Sequence, residues 1–123
     1  MTPAAAIAAL DRALAANGEP VRLQRITGSQ QTAFECACRA KVSSYQPVEL
    51  IAGITQTDVR LIIGPTEINR AQWTGSAPPG QDRRLPLISI DRVFVRGKTR
   101  TVAACNPFYL DGELVRIELR VTG

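Results

Sequence analysis

The stretch from Phe108 to Val121 constrains this chain more than any other, because an Asp111-Gly112 dipeptide separates two runs in which apolar and polar residues alternate. Asp-Gly supplies the two positive-φ positions that a two-residue hairpin turn demands, and the period of two is that of strands with one buried face. Val115, Ile117, Leu119 and Val121 are expected to point inward, with Arg116, Glu118 and Arg120 outward. Each inward side chain contributes about 1.5–3 kcal/mol on burial, so the register of this strand anchors the fold. The same period recurs upstream. Val21 and Leu23 alternate with Arg22 and Gln24, while Phe34, Cys36, Cys38, Ala40 and Val42 alternate with Glu35, Arg39 and Lys41. Val59, Leu61 and Ile63 repeat the pattern, and Leu87–Val95 and Thr99–Ala104 flank Arg96-Gly97-Lys98, which reads as a further hairpin turn. Six or so short strands with turn signals between them predict a mainly β fold, a small antiparallel β-barrel or sandwich.

One helix precedes the strands. Thr2 is its expected N-cap, Pro3 occupies the first helical position where a missing N–H costs nothing, and Gly18 is expected to end it in the left-handed conformation. The helix spans about residues 3–17, and Ile7, Leu10 and Leu14 form a narrow apolar stripe along it. At 123 residues the chain is long enough for one core and too short for two, so residues 1–123 are read as a single domain, helix first and β-barrel or sandwich over about 20–121.

Two stretches depart from the strand pattern. Ser43–Thr57 exposes apolar residues without a period, and Thr74–Arg84 is rich in Pro and Gly and ends in Arg83-Arg84. Loops this long in a small domain usually carry function or are disordered. Pro65–Trp73 is expected to form one short helical turn.

Composition narrows the chemistry. Histidine is absent, which removes the commonest general base and most zinc ligand sets. The three thiols, Cys36, Cys38 and Cys105, are expected to be reduced in a cytoplasm and to act as small hydrophobes, since the first two share the apolar face of one strand. No cofactor or metal is expected. Gly97-Lys98-Thr99 resembles the tail of a phosphate-binding loop, but Arg92 stands where the earlier glycine is required and no helix signal follows. Glu35, Glu49, Asp58, Glu67, Asp82, Asp91, Asp111, Glu113 and Glu118 make no recognisable catalytic pair and read as surface partners of arginines. An enzyme is therefore the weakest reading.

Lys and Arg number 15 against 11 Asp and Glu, and 13 of those cations are Arg, a bias toward planar, bidentate contacts. Arg22, Arg25, Arg39, Lys41, Arg60, Arg83, Arg84, Arg92, Arg96, Lys98, Arg100, Arg116 and Arg120 are candidates for a basic stripe, of which Arg83, Arg84, Arg96 and Lys98 stand out as contacts to DNA phosphates or to carboxylates. Aromatics make up 5% of the chain, too few for a base-stacking platform. A small β-barrel that binds nucleic acid is the alternative function. No run of about 18 apolar residues is present and Thr2–Ala16 lacks a basic flank, so no membrane partner or signal peptide is expected.

Four stretches together resemble the head-tail joining proteins of long-tailed bacteriophages, the neck or head-closure connectors also found in prophages and gene-transfer particles. They are the Ala-rich helix running into Gly18–Arg25, the central Tyr45–Leu50, Ile90–Lys98 and the closing Leu114–Val121. The resemblance covers most of the chain and implies a virion assembly protein, without catalytic residues, that is put together in the bacterial host cytoplasm and resides in the virion neck. It implies a six- or twelve-fold homo-oligomeric ring between the portal or adaptor protein and the tail terminator, with packaged double-stranded DNA passing through. Ring formation gives a purpose to the helix stripe of Ile7, Leu10 and Leu14. It does the same for Tyr45, Val48, Leu50, Ile51 and Ile54, since apolar patches on a soluble domain mark partner contacts.

Overall fold

The structure is a computed structural model that describes residues 2–26, 32–44, 58–71, 84–86, 88–89 and 91–122. Helix α1 covers Pro3–Asn17, strand β1 Glu19–Ile26, β2 Thr32–Ser44 and β3 Val59–Ile63; a short helix α2 covers Pro65–Ala71, followed by β4 Arg92–Val95, β5 Lys98–Leu110 and β6 Glu113–Thr122. The six strands close into an antiparallel barrel in the order β1-β2-β3-β6-β5-β4, with β4 returning to β1 through Arg22↔Phe94 and Gln24↔Arg92. Closure removes the open edges that a six-stranded sheet of this size would otherwise present. Among the described residues, no helix is long and apolar enough to cross a membrane.

The expected inward faces fill the barrel, except that Val42 is only partly buried and the side chain of Phe34 lies outside the described residues. Val21 and Leu23 of β1, Cys36, Cys38 and Ala40 of β2, Leu61 and Ile63 of β3, Val93 and Val95 of β4, Val102 of β5 and Ile117, Leu119 and Val121 of β6 form one buried cluster, which Ile68 of α2 joins. One expectation on β6 fails. Val115 is only half-buried and Leu114 takes the inward position instead. The ladder between β5 and β6 pairs Phe108 with Arg116 and then Tyr109 with Leu114, so Val115 is an extra residue on β6, and a bulge of this kind flips every side chain beyond it.

Both hairpin turns are of the two-residue type. Arg96 and Gly97 have φ of 52° and 76°, and Asp111 and Gly112 have 49° and 79°, the paired left-handed residues that match the twist of the flanking strands. The first turn is thus one residue shorter than expected, Lys98 already pairing with Val95, and β5 runs unbroken from one turn to the other. Ser43 and Ser44 belong to β2 rather than to the loop after it. Of the strand expected over Leu87–Val95, the described part is β4 over Arg92–Val95, while Ile88 and Ser89 form a turn, with Ser89 at φ 67°, and Leu87 and Ile90 lie outside the described residues.

Thr2 caps α1 as expected, its hydroxyl accepting from the Ala5 N–H at 3.1 Å. Gly18 ends the helix differently from expectation. Its φ of −84° is ordinary, and its N–H donates to the Leu14 carbonyl. Glycine is required here because a Cβ would stand 2.4 Å from that carbonyl oxygen. Arg39 of β2 completes the cap, donating to the carbonyls of Leu14 and Gly18. The helix thereby lies on β2 and β6, with Leu14 buried. The expected short helical turn is α2, linked to α1 by the Thr66 hydroxyl donating to Asp11 at 2.8 Å.

Candidate functional site

The outer wall of the barrel is laced with Arg–carboxylate pairs. Arg22 lies 3.7 Å from Glu35, Arg60 at 3.5 Å and Arg116 at 2.9 Å both reach Glu118, and Arg96 holds Glu19 with two bonds of 3.0 and 2.7 Å. The Arg96 guanidinium keeps the Glu19 carboxyl below the ordinary carboxylate range, and Glu19 in turn raises Arg96. Carboxylates were expected at the surface throughout, and for two of them the structure differs. Asp58 is buried and accepts from Arg120 at 2.9 Å. Asp91 is fully buried with Arg25, whose Nε and Nη2 donate to one oxygen of its carboxylate at 3.1 and 2.9 Å. Arg25 therefore leaves the basic stripe. It follows Val21 and Leu23 on the inward face, where desolvation of a charge is tolerated only with a partner, and it ties β1 to the Leu85 carbonyl at 2.9 Å as well.

Two features of the described surface combine aromatic rings with arginines. The first is a groove of about 400 Å³ lined by residues of β1, β2 and β4 with the Arg96-Gly97 turn; Pro20, Ala37 and Phe94 give it apolar walls, and Arg22 and Arg96 stand at it. The Arg22 guanidinium sits 5.5 Å from the centre of the Phe94 ring, a cation–π distance. The second feature is the β5–β6 hairpin. β4 pairs with β5 only as far as Thr101, and β3 pairs with β6 only from Ile117 onward, so the ribbon between them runs past its neighbours. Near its end Phe108 and Tyr109 are 44% and 49% exposed. Arg116 lies 4.9 Å from the Phe108 ring centre.

The residues singled out from sequence fall unevenly on this surface. Leu14 is taken up by the chain's own fold, which leaves Ile7 and Leu10 of the helix stripe half-buried. Tyr45, Val48, Leu50, Ile51, Ile54 and Arg83 lie outside the described residues, as does Thr74–Asp82. Arg84 is half-buried, while Arg96 and Lys98 are exposed beside one another at the β4–β5 turn. Gly97-Lys98-Thr99 forms that turn and the start of β5. Phe94, Phe108 and Tyr109 were not singled out. A signal existed for the last two: on a strand, adjacent residues face opposite sides, so two neighbouring aromatics cannot both enter one core.

All three cysteines are free thiols, Cys36 and Cys38 buried. Contact with Cys36 and burial push the Cys38 thiol up, and burial raises Cys105 to about 11. Among the described residues, no group of three or more Cys, Asp or Glu is placed to hold a metal ion. Neither models of known protein families nor curated proteins match this chain.

Proposed function

We propose that this chain is a structural assembly protein of the phage-neck type, a subunit of a ring that joins a DNA-filled capsid to a tail. The observation that carries the reading is the β5–β6 ribbon, which extends past the ends of β3 and β4 and presents Phe108 and Tyr109 to solvent. Large exposed rings at the end of such a ribbon are the composition of interface anchors. The resemblance of the helix, the Ile90–Lys98 segment and the closing strand to head-tail joining proteins supplies the kind of assembly. The wall of ion pairs weighs against the nucleic-acid alternative. Arg22, Arg60, Arg96, Arg116 and Arg120 are engaged with carboxylates of their own chain, which takes five of the 15 cations out of the set that could displace counterions from a phosphate backbone.

The test is a null strain of the particle that encodes the chain, viewed in the electron microscope. Filled or leaking heads and free tails, unjoined, are the expected result, and complementation with the wild-type chain restores joined particles. Normal yields of joined particles from the null strain refute the reading. In parallel, duplex DNA binding that is submicromolar at low salt and collapses by orders of magnitude as salt rises would favour the nucleic-acid module instead.

A further inference from the structure

β5 carries a hairpin turn at each end, and the two ends differ in charge. At one, Asp111 and Glu113 bracket Gly112; at the other, Lys98 follows Arg96-Gly97. Of the exposed carboxylates among the described residues, Glu35 is paired with Arg22, whereas Asp111 and Glu113 are in no ion pair. Lys98 is likewise in none. The acidic end also carries the exposed rings of Phe108 and Tyr109. The basic end adjoins the groove with Phe94, where Arg22 and Arg96 are paired with Glu35 and Glu19, the latter also lining the groove, and Lys98 is the unpaired cation beside it. An aromatic, acidic knob with two unpaired carboxylates and an apolar groove with one unpaired cation, Lys98, beside it thus sit on the same molecule.

They cannot meet within one chain. The 13 residues of β5 span on the order of 40 Å at about 3.3 Å per residue, and around the closed barrel β1, which lines the groove, lies opposite β6. A contact between them needs a second copy, and because the two surfaces differ it is head-to-tail, the kind that propagates into a ring or a filament.

We propose that the tip of the β5–β6 hairpin of one copy, Phe108 to Glu113, docks in the groove over Phe94 on the next copy, with Asp111 and Glu113 facing Lys98 beside the Arg22–Glu35 and Arg96–Glu19 pairs. The inference deepens the neck reading by naming its subunit contact, and rests on that reading for closure into a ring rather than a filament. Two aromatic side chains bury about 150–250 Å² each, short of the ~800 Å² per partner of a standard interface, so the contact is weak in isolation and is tested by trapping it.

The chain carrying both Ala37→Cys, at the groove, and Tyr109→Cys, at the tip, is oxidised at high protein concentration and run on a non-reducing denaturing gel. The expected result is a ladder of dimer, trimer and higher species, with each single substitution giving only the background of the natural thiols. Mixing the two single variants yields the mixed dimer. Adding Asp111→Asn and Glu113→Lys, which lie at an exposed tip and leave the melting temperature unchanged, slows linking by tenfold or more, since like charges now meet across the contact. No ladder, a product that stops at dimer, or linking indifferent to the tip charges overturns the inference. These outcomes are separable from the fate of the neck reading. If the null strain fails to join particles but no ladder forms, only this contact falls; if the ladder forms and the null strain joins particles normally, the contact stands and the neck reading falls.

Discussion

Breaking the Arg25–Asp91 pair should be the costliest single polar change in the barrel. Both side chains are almost completely enclosed, 4% and 1% exposed, and Arg25 gives two bonds to the carboxylate and one to the Leu85 carbonyl. Arg25→Met leaves a carboxylate inside the protein with its main cation gone, and Asp91→Val leaves a guanidinium in the same position. Removing one partner of a buried pair costs about 3–5 kcal/mol, whereas removing both exchanges a desolvated pair for apolar contact and costs far less. The Leu85 carbonyl still loses a donor in the double variant, which leaves a residual penalty of about 1–3 kcal/mol. For 123 residues an unfolding entropy of about 2.1 cal/mol/K per residue converts each kcal/mol to about 4 °C, so each single variant should melt roughly 12–20 °C below wild type. Urea titration followed by far-ultraviolet circular dichroism gives the four stabilities of the cycle. The expected coupling is about 2 kcal/mol or more, the double variant being more stable than at least one of the singles. Strictly additive losses, or single losses below about 1 kcal/mol, would refute the reasoning and mean that water reaches the pair.

Leu119→Asp puts a carboxylate where the core leaves no solvent and should abolish cooperative melting, whereas Glu118→Lys breaks two partly exposed pairs and should cost only about 1 kcal/mol; the reverse order of damage would show β6 shifted by one residue. Gly18→Ala drives a Cβ onto the Leu14 carbonyl and should lower stability by about 1–3 kcal/mol in the same denaturation assay, a neutral result refuting the close approach. Glu19, lowered by its hydrogen bonds from Arg96, should titrate below an ordinary glutamate by NMR and return to the usual range in Arg96→Ala. A folded-state value below the unfolded one means that this pair's stabilisation is present above the unfolded value and is lost as pH falls through the folded one, the fall coming at lower pH than for a free carboxylate. Cys105, raised by burial to about 11, should react with iodoacetamide far more slowly than a free thiol at pH 8, and equal rates would refute its placement.

What could be read from the sequence, and what could not, follows from the range of the interactions concerned. Alternation along a strand is local, so the inward faces of β1, β2, β3 and most of β6 were legible, as was the Asp111-Gly112 turn, whose geometry two adjacent residues determine. The bulge at Val115 was not, because an extra residue in a ladder is defined by the partner strand and leaves no mark on its own. Arg25 shows the same limit. Its position after Val21 and Leu23 is inward by period, yet the charge argues for solvent, and the conflict is resolved only by Asp91, 66 residues away. The sequence also places Gly18 at a helix end without saying which of glycine's two liberties is used, and here it is the missing Cβ, since the backbone is extended. The candidate site divides along the same line. The exposure of Arg96 and Lys98 was legible because a turn exposes whatever it carries, while Phe94 and Arg22 become a groove only when β4 closes on β1 through the Arg22↔Phe94 pairing. That pairing also sets what the hairpin tip can reach. Had the barrel stayed an open sheet ending in β4 and β1, both would have remained edges for another strand to extend; closure satisfies those edges and shifts the burden of recognition to side chains on the wall and at the hairpin ends. Among these the described residues keep two large rings, Phe108 and Tyr109, in solvent at the acidic end of β5, and they are the groups whose truncation distinguishes a surface used by another molecule from one that is merely wet.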